Sequence, residues 1–397
     1  MQAPIHTLVA AAALALLASP ARADVITDWN QKVGQILAGA KLGTPPAVRV
    51  MALVQTATLA AVEATPRGAS PEATVAGVAA ANRATLITLV PAQKEAIEQA
   101  YQQALASLHD AAVRNAGVAA GERAAAATLA ARAGDMPAGP ESYRPQAVAG
   151  VYVATAPVAV PTWSGRKPWL MASAAQFRPA PPPALGSDTW ARDYNEVKAL
   201  GGRSGSARSA EQTEVAKFWD YSLPPIYTNV VRSVALSAGR DVARNARLYA
   251  AASQAMDDAM IAVFDAKYAY NFWRPVTAIR NGDIDGHDAT ARDASWAPLV
   301  DNPMHPEYPS GHGILASAVA VVLKADVGKA PMPELSSSSP TANGATRRWK
   351  NADDFVREVS DSRVWGGLHY RFSMEAASAM GRQIGELAVA RLLAPAL

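Results

Sequence analysis

Apolar residues recur at helical spacing through most of this chain, which restricts it to folds made by packing helices on helices. The pattern covers residues 25–42, 47–64, 71–89, 92–109 and 121–133. It resumes across 188–200, 211–221, 227–239, 242–270, 310–327, 352–360 and 372–393. Half of the 397 residues are hydrophobic but only 7% are aromatic, so alanine and other small side chains must close much of the core. Ser70-Pro71 is a natural N-cap and first-turn pair, and no fixed period of repetition is present. The expectation is an all-α protein of two helical bundles.

Three stretches depart from that texture. Residues 1–23 read as an export signal: the run from Leu8 to Leu17 has h-region length, and Ala21-Arg22-Ala23 offers small residues at the cleavage positions. The expected location is therefore periplasmic or secreted. Residues 24–133 form an N-terminal helical region. Residues 134–187 change to Pro, Gly and small residues, including Pro179-Ala180-Pro181-Pro182-Pro183, and this stretch is too long for an ordinary connector. It reads as an ordered surface excursion or lid, or else a linker, and Trp163 and Trp169 favour packing. Residues 188–397 form the C-terminal helical domain. The net charge of +3 implies neither a nucleic-acid partner nor a membrane-binding surface. Cysteine is absent, which removes disulfides, thiol catalysis and thiolate metal sites. Beyond the signal, the best apolar run, from Ile314 to Leu323, is too short to span a bilayer.

The C-terminal domain carries three short strings. They are Lys267-(six residues)-Arg274-Pro275, Pro309-Ser310-Gly311-His312 and Ser362-Arg363-(five residues)-His369. A lone Lys, Arg or Ser at a helix end is ordinarily a solvated or capping residue. Together these residues converge on the chemistry of one oxyanion. Lys267, Arg274 and Arg363 neutralise a tetrahedral anion, Ser310 and the Gly311 amide hydrogen-bond it, and His312 and His369 bond it or move protons. Lys267 and Arg274 are two helical turns apart, so one helix would present both if it runs that far. Ser310 sits where a loop enters an apolar helix and is a natural N-cap. Gly366-Gly367 suggests a turn that brings Arg363 and His369 inward. A His-based zinc site is disfavoured by the absence of zinc-motif spacings and by the cationic surroundings.

These strings resemble the superfamily that joins vanadium-dependent haloperoxidases to the type 2 phosphatidic acid phosphatases and bacterial acid phosphatases. The resemblance spans residues 267–369. It implies that His369 attacks or coordinates the central atom, phosphorus or vanadium. It also implies that Lys267, Arg274, Ser310, Gly311 and Arg363 hold the oxyanion, and that His312 is the acid–base group.

Phosphatases of this group usually carry an acid four residues after the second His, where this chain has Ser373; Asp361 or Glu375 could substitute spatially. The string His305-Pro306-Glu307-Tyr308 also looks haloperoxidase-like, with His305 and Ser373 as expected halide-site or supporting residues. The preferred reading is a vanadate-dependent enzyme that uses hydrogen peroxide to oxidise halide, with bromide expected and a small organic molecule as halogen acceptor. Two alternatives are a periplasmic acid phosphatase acting on phosphate esters through a phosphohistidine without vanadate, and a helical protein that binds phosphate or vanadate without turnover. Oligomeric state is left open.

Overall fold

The computed structural model describes residues 24–66, 68–135, 141 and 143–394. The signal-like segment 1–23 lies outside them. The chain forms thirteen α-helices and one hairpin among the described residues. The N-terminal region holds α1 (Val25–Gly39), α2 (Thr44–Glu63), α3 (Pro71–Leu89), α4 (Lys94–Leu105) and α5 (Ala111–Ala131). The remainder holds α6 (Asp188–Leu200), α7 (Ala210–Phe218), α8 (Pro225–Ala235), α9 (Val242–Tyr270), α10 (Pro275–Arg280), α11 (Gly311–Val327), α12 (Ala352–Trp365) and α13 (Arg371–Ala388). Strands β1 (Leu335–Ser339) and β2 (Ala345–Trp349) pair antiparallel between α11 and α12, a hairpin that the helical pattern did not announce.

Helix α9 is the axis of the molecule. It is buried along nearly its whole length, and its many alanines let α2, α11 and α13 approach closely on different sides. At Gly381 a Cβ would stand 2.4 Å from the Ile314 carbonyl oxygen, so only glycine lets α13 lie against α11 at this depth. One hydrophobic core runs from Ile26 on α1 to Ile384 on α13, so the N-terminal helices and the C-terminal domain share a continuous interior. Helix α2 is long and apolar enough to cross a membrane, but most of it is packed inside this core.

Two carboxylates interrupt the apolar axis, and burial is costly for each unless it is bonded. Asp258 accepts the backbone N–H groups of Trp169 (2.7 Å), Leu170 (2.8 Å) and Met171 (3.0 Å). Asp257 accepts the Trp169 indole N–H at 2.6 Å and Arg49 Nη1 of α2 at 2.5 Å. These bonds pin the Pro/Gly-rich excursion onto the bundle, and Arg132 of the α5 C-cap stacks over the Trp169 ring. Further along, Ala159 N–H donates to the Met304 carbonyl at 2.6 Å, and the Tyr268 hydroxyl donates to the Ala159 carbonyl at 2.6 Å. In its described part the excursion is therefore an ordered strap rather than a linker.

A second, aromatic cluster contains Trp190, Tyr194, Phe272, Trp273, Tyr370 and Phe372. Trp190 stacks on Trp273 and tilts against Tyr370. Trp273 precedes Arg274 and Tyr370 follows His369, so this packed layer backs two of the loops that carry the sequence motifs.

Candidate active site

The motif residues arrive from four directions. Lys267 is in the last turn of α9. The helix stops at Tyr270 because Asn271 adopts the left-handed conformation (φ 46°) and returns its N–H to the Lys267 carbonyl at 2.8 Å. Arg274 is the N-cap residue of α10. One continuous helix therefore does not present both cations, as their spacing had suggested; a turn separates them. Ser310 caps α11, its hydroxyl accepting the Gly313 amide at 3.4 Å, which places Gly311 and His312 in the first turn. Arg363 lies in the last turn of α12, and Gly367 (φ 78°) reverses the chain so that the Leu368 and His369 amides both donate to the Arg363 carbonyl.

The three cations are buried and held by carbonyl oxygens. Lys267 Nζ donates to the carbonyls of Pro306 (3.0 Å) and Glu307 (2.7 Å). Arg274 donates through Nε to the His305 carbonyl and through Nη1 to the Leu368 carbonyl, each at 3.0 Å, and its Nη2 lies 3.0 Å from His305 Nδ1. Arg363 Nη1 donates to the Trp219 carbonyl at 2.5 Å. Among the described residues none of the three has a carboxylate within ion-pair distance. Burial draws Lys267 well below the usual lysine range, helped by the neighbouring Arg274 charge, and takes both arginines down to about 10. Carbonyl dipoles orient these groups but do not neutralise them.

His369 has a partner that sequence reading missed. Its Nδ1 lies 2.6 Å from Glu307 Oε1, and the Tyr370 amide donates to the same oxygen at 3.3 Å. Glu307 is fully buried, and burial pushes it up to about 7 against the pull of Lys267 and Arg274. With Glu307 ionised, Nδ1 carries the ring proton and Nε2 keeps the free lone pair. The acid absent at Ser373 is thus supplied from another loop. Asp361, considered as a substitute, is instead paired with Arg371 at 2.6 Å, and Glu375 makes no bond to His369. Ser373 is buried beside Glu307; its backbone carbonyl accepts the Ser310 amide at 3.5 Å.

These groups meet a cavity of about 400 Å³. Lys267, His305, Gly311, His312, Arg363 and His369 line it; Arg274, Ser310 and Ser373 are buried behind that wall. Among the described residues, the Nε2 of His312 and the Nε of Arg363 are buried without a hydrogen-bond partner. Burial first, and then the nearby cations, hold His305, His312 and His369 well below the usual histidine range. The N-terminal region, which carries no motif, supplies Gly43, Thr44, Pro45 and Pro46 to the same cavity, and the excursion supplies Ala159 and Val160.

Part of the chain is similar in sequence, and most of it in fold, to known proteins. Residues 247–395 match the family described as the VCPO second helical-bundle domain. Over that region the chain resembles the vanadium haloperoxidase superfamily. The vanadium chloroperoxidase of Curvularia inaequalis is 30% identical over 174 residues, 35% of this chain and 28% of that protein, so the matched part spans little more than a quarter of the relative. In fold, the chain is similar to a bacterial vanadium-dependent iodoperoxidase, with a TM-score of 0.77 and 24% identity over 94% of this chain and 98% of the other. It is also similar to a holo-type bacterial vanadium-dependent chloroperoxidase, with a TM-score of 0.70 and 19% identity over 90% and 94% of the two chains. These two likenesses establish the haloperoxidase helical-bundle fold.

The electrostatics of the site give anion binding a definite linkage to protons. Lys267 and the three histidines are depressed by burial and by neighbouring cations, and a dianion beside them lifts every one of these values. The same dianion raises Glu307 further above about 7. All the shifts have one sign, so anion binding takes up protons and affinity falls as pH rises. Sulfate, whose own charge is constant over pH 6–8, is the suitable probe. Titration calorimetry in buffers of different ionisation enthalpy should report net proton uptake at pH 7. Zero uptake or proton release would contradict this account of the site.

Proposed function

We propose that this protein is a vanadate-dependent peroxidase that oxidises halide with hydrogen peroxide. The observation that carries the reading is a cup of three buried cations that, among the described residues, have no carboxylate within ion-pair distance, together with a His369 whose Nδ1 is held by Glu307 and a His312 whose Nε2 has no hydrogen-bond partner there. That donor set fits a multiply charged oxyanion. Lys267, Arg363 and the Gly311 amide, which line the cavity, would hold the oxygens of vanadate, Arg274 and Ser310 would add charge and a hydroxyl from behind the wall, and His369 would supply Nε2 as the ligand atom. Charge-assisted hydrogen bonds contribute roughly 1.5–3 kcal/mol each, so the cations can secure the anion strongly. Vanadate, when bound, supplies the Lewis-acidic centre that makes hydrogen peroxide a two-electron oxidant of halide.

The chain's own residues orient and move protons. Glu307 fixes the His369 ring and its tautomer. His312, neutral near pH 7 because its surroundings disfavour a further positive charge, takes a proton through Nε2 and returns it. Bromide is the halide proposed; iodide and chloride, which name the solved relatives, are the comparisons. Export through residues 1–23 would place this chemistry in the periplasm or outside the cell.

Hydrolysis of phosphate esters is the second reading, and one observation favours it. The Glu307–His369 pair provides the carboxylate-backed imidazole that a histidine nucleophile needs, so Ser373 no longer separates the two chemistries. Sequestration without turnover accounts poorly for the free Nε2 of His312. The sign of the vanadate effect decides among the three. Orthovanadate should switch on peroxide-dependent bromide oxidation in purified protein and suppress any phosphate-ester hydrolysis. Vigorous hydrolysis inhibited by vanadate, with no halide oxidation, would overturn the peroxidase reading. Tight vanadate binding with neither activity would leave sequestration.

A further inference from the structure

We infer that Met304 is a site at which the protein is modified by its own product: hypohalous acid leaving the oxyanion cup converts the Met304 thioether to a sulfoxide at the cavity mouth. This rests on the peroxidase reading. That chemistry generates an electrophilic oxidant among buried cup residues, and the oxidant must pass the rim of the cavity to reach solvent. Among the described residues that line the cavity, Gly43 and Met304 are the exposed ones, so they mark that rim. Glycine offers no side chain. Met304, 41% exposed, is therefore the reactive group that the departing oxidant meets there.

The backbone holds Met304 in place from two directions. Its carbonyl accepts the Ala159 N–H of the strap at 2.6 Å, and the next carbonyl, of His305, accepts Arg274 Nε at 3.0 Å. The side chain can turn, but the rim keeps it.

The residue types single out a thioether. The chain has no cysteine, so methionine sulfur is the soft, polarisable nucleophile available to an electrophilic halogen. Two methionines line the cavity, Met260 and Met304. Met260 is 2% exposed and belongs to the continuous hydrophobic core, where a sulfoxide would place a strong dipole in apolar surroundings. At Met304 solvent supplies both the oxygen atom and the solvation of the product. Its side chain gives the oxyanion neither charge nor a hydrogen-bond donor, so its oxidation spares the cup.

The step balances with what the peroxidase reaction supplies. The sulfur lone pair attacks the bromine of hypobromous acid, the Br–O bond breaks and hydroxide leaves. Water then adds its oxygen to the bromosulfonium, bromide departs, and of the two protons lost by that water one neutralises the hydroxide. Sulfur gives up two electrons and bromine regains them, so bromide returns to the cycle.

The test follows methionine oxidation by peptide mass spectrometry in the full protein loaded with vanadate and supplied with bromide and peroxide. The peptide carrying Met304 should gain one oxygen about tenfold faster than the peptide carrying Met332, a partly exposed methionine outside the cavity lining. Excess free methionine in the solvent should not remove that lead, whereas omission of bromide or vanadate should abolish it. Hypobromous acid added to the resting protein should mark neither site once free methionine is present. Met304→Leu should keep the rate of bromide oxidation within about twofold; a much larger loss would mean that the side chain serves the catalytic step rather than receiving its product, and would overturn the inference. Brisk bromide oxidation that leaves Met304 intact, or that marks Met304 and Met332 at equal rates suppressed alike by free methionine, would also overturn it and leave the peroxidase reading standing. Failure of the protein to oxidise bromide would remove both.

Discussion

His312→Ala is expected to keep vanadate binding within a few-fold of the parent and to lose about 10²–10⁴ of turnover, the usual contribution of a positioned acid–base group. His369→Ala is expected to lose stable vanadate loading altogether. The asymmetry follows from what each ring touches. His312 stands in the first turn of α11 with Nε2 buried and unbonded, and removing it leaves Lys267, Arg274 and Arg363 in place. His369 is bonded to Glu307 through Nδ1, which leaves Nε2 as the ring atom that would bond the anion. Its removal also strands a buried carboxylate among the cations. Equilibrium dialysis measures the loading and initial rates of bromide oxidation measure the turnover. If His312→Ala loses the anion while His369→Ala keeps both anion and activity, the two roles are reversed.

The regular parts of the molecule were legible from residue pattern alone. Helix α3 spans Pro71–Leu89 as its apolar spacing and Ser70-Pro71 predict, and Ser310 caps α11 where the loop meets the apolar run. Junctions were harder. Spacing alone put Lys267 and Arg274 on one helix, whereas Asn271, a residue tolerant of left-handed backbone, ends α9 between them. That asparagine was the available signal. The hairpin from Leu335 to Trp349 grows from a serine run with little alternation of apolar and polar residues, so period gave no cue.

Partners distant in sequence were the least legible. Glu307 was visible within the His305 string, but the acid for His369 was sought four residues downstream, at a spacing that works only along one helix. The actual contact joins two loops 62 positions apart. The cavity wall from Gly43 to Pro46 was hidden for another reason. Glycine, threonine and proline carry no chemistry of their own, and their role arises only when α2 packs on α9. Asp257-Asp258 in an alanine-rich helix carried a signal that the sequence reading did not use: buried adjacent carboxylates must find donors, and those donors are Arg49 and the strap.

Glu307 should separate anion attraction from histidine positioning. It is the one carboxylate bonded to the site among the described residues, so its removal makes the cup more positive while freeing the His369 ring. For sulfate, which needs only charge, Glu307→Ala should bind as tightly as the parent or more tightly. For vanadate, which also needs a bond from an oriented imidazole, loading or turnover should fall about 10–100-fold, the usual consequence of removing a group that orients a ligand. Glu307→Gln should fall between, because its amide oxygen can still accept from Nδ1–H but carries no charge to strengthen the imidazole as a donor. The pH profile supplies a second readout. Glu307 is pushed up to about 7 by burial, so any inflection near neutrality that depends on it should vanish in the Gln variant and persist in Ser373→Ala. Ser373→Asp, which would place a second acid beside the first, should bring no gain in ester hydrolysis. If both Glu307 variants load vanadate and turn over like the parent, the carboxylate does not position His369, and the phosphatase reading loses the observation that favoured it.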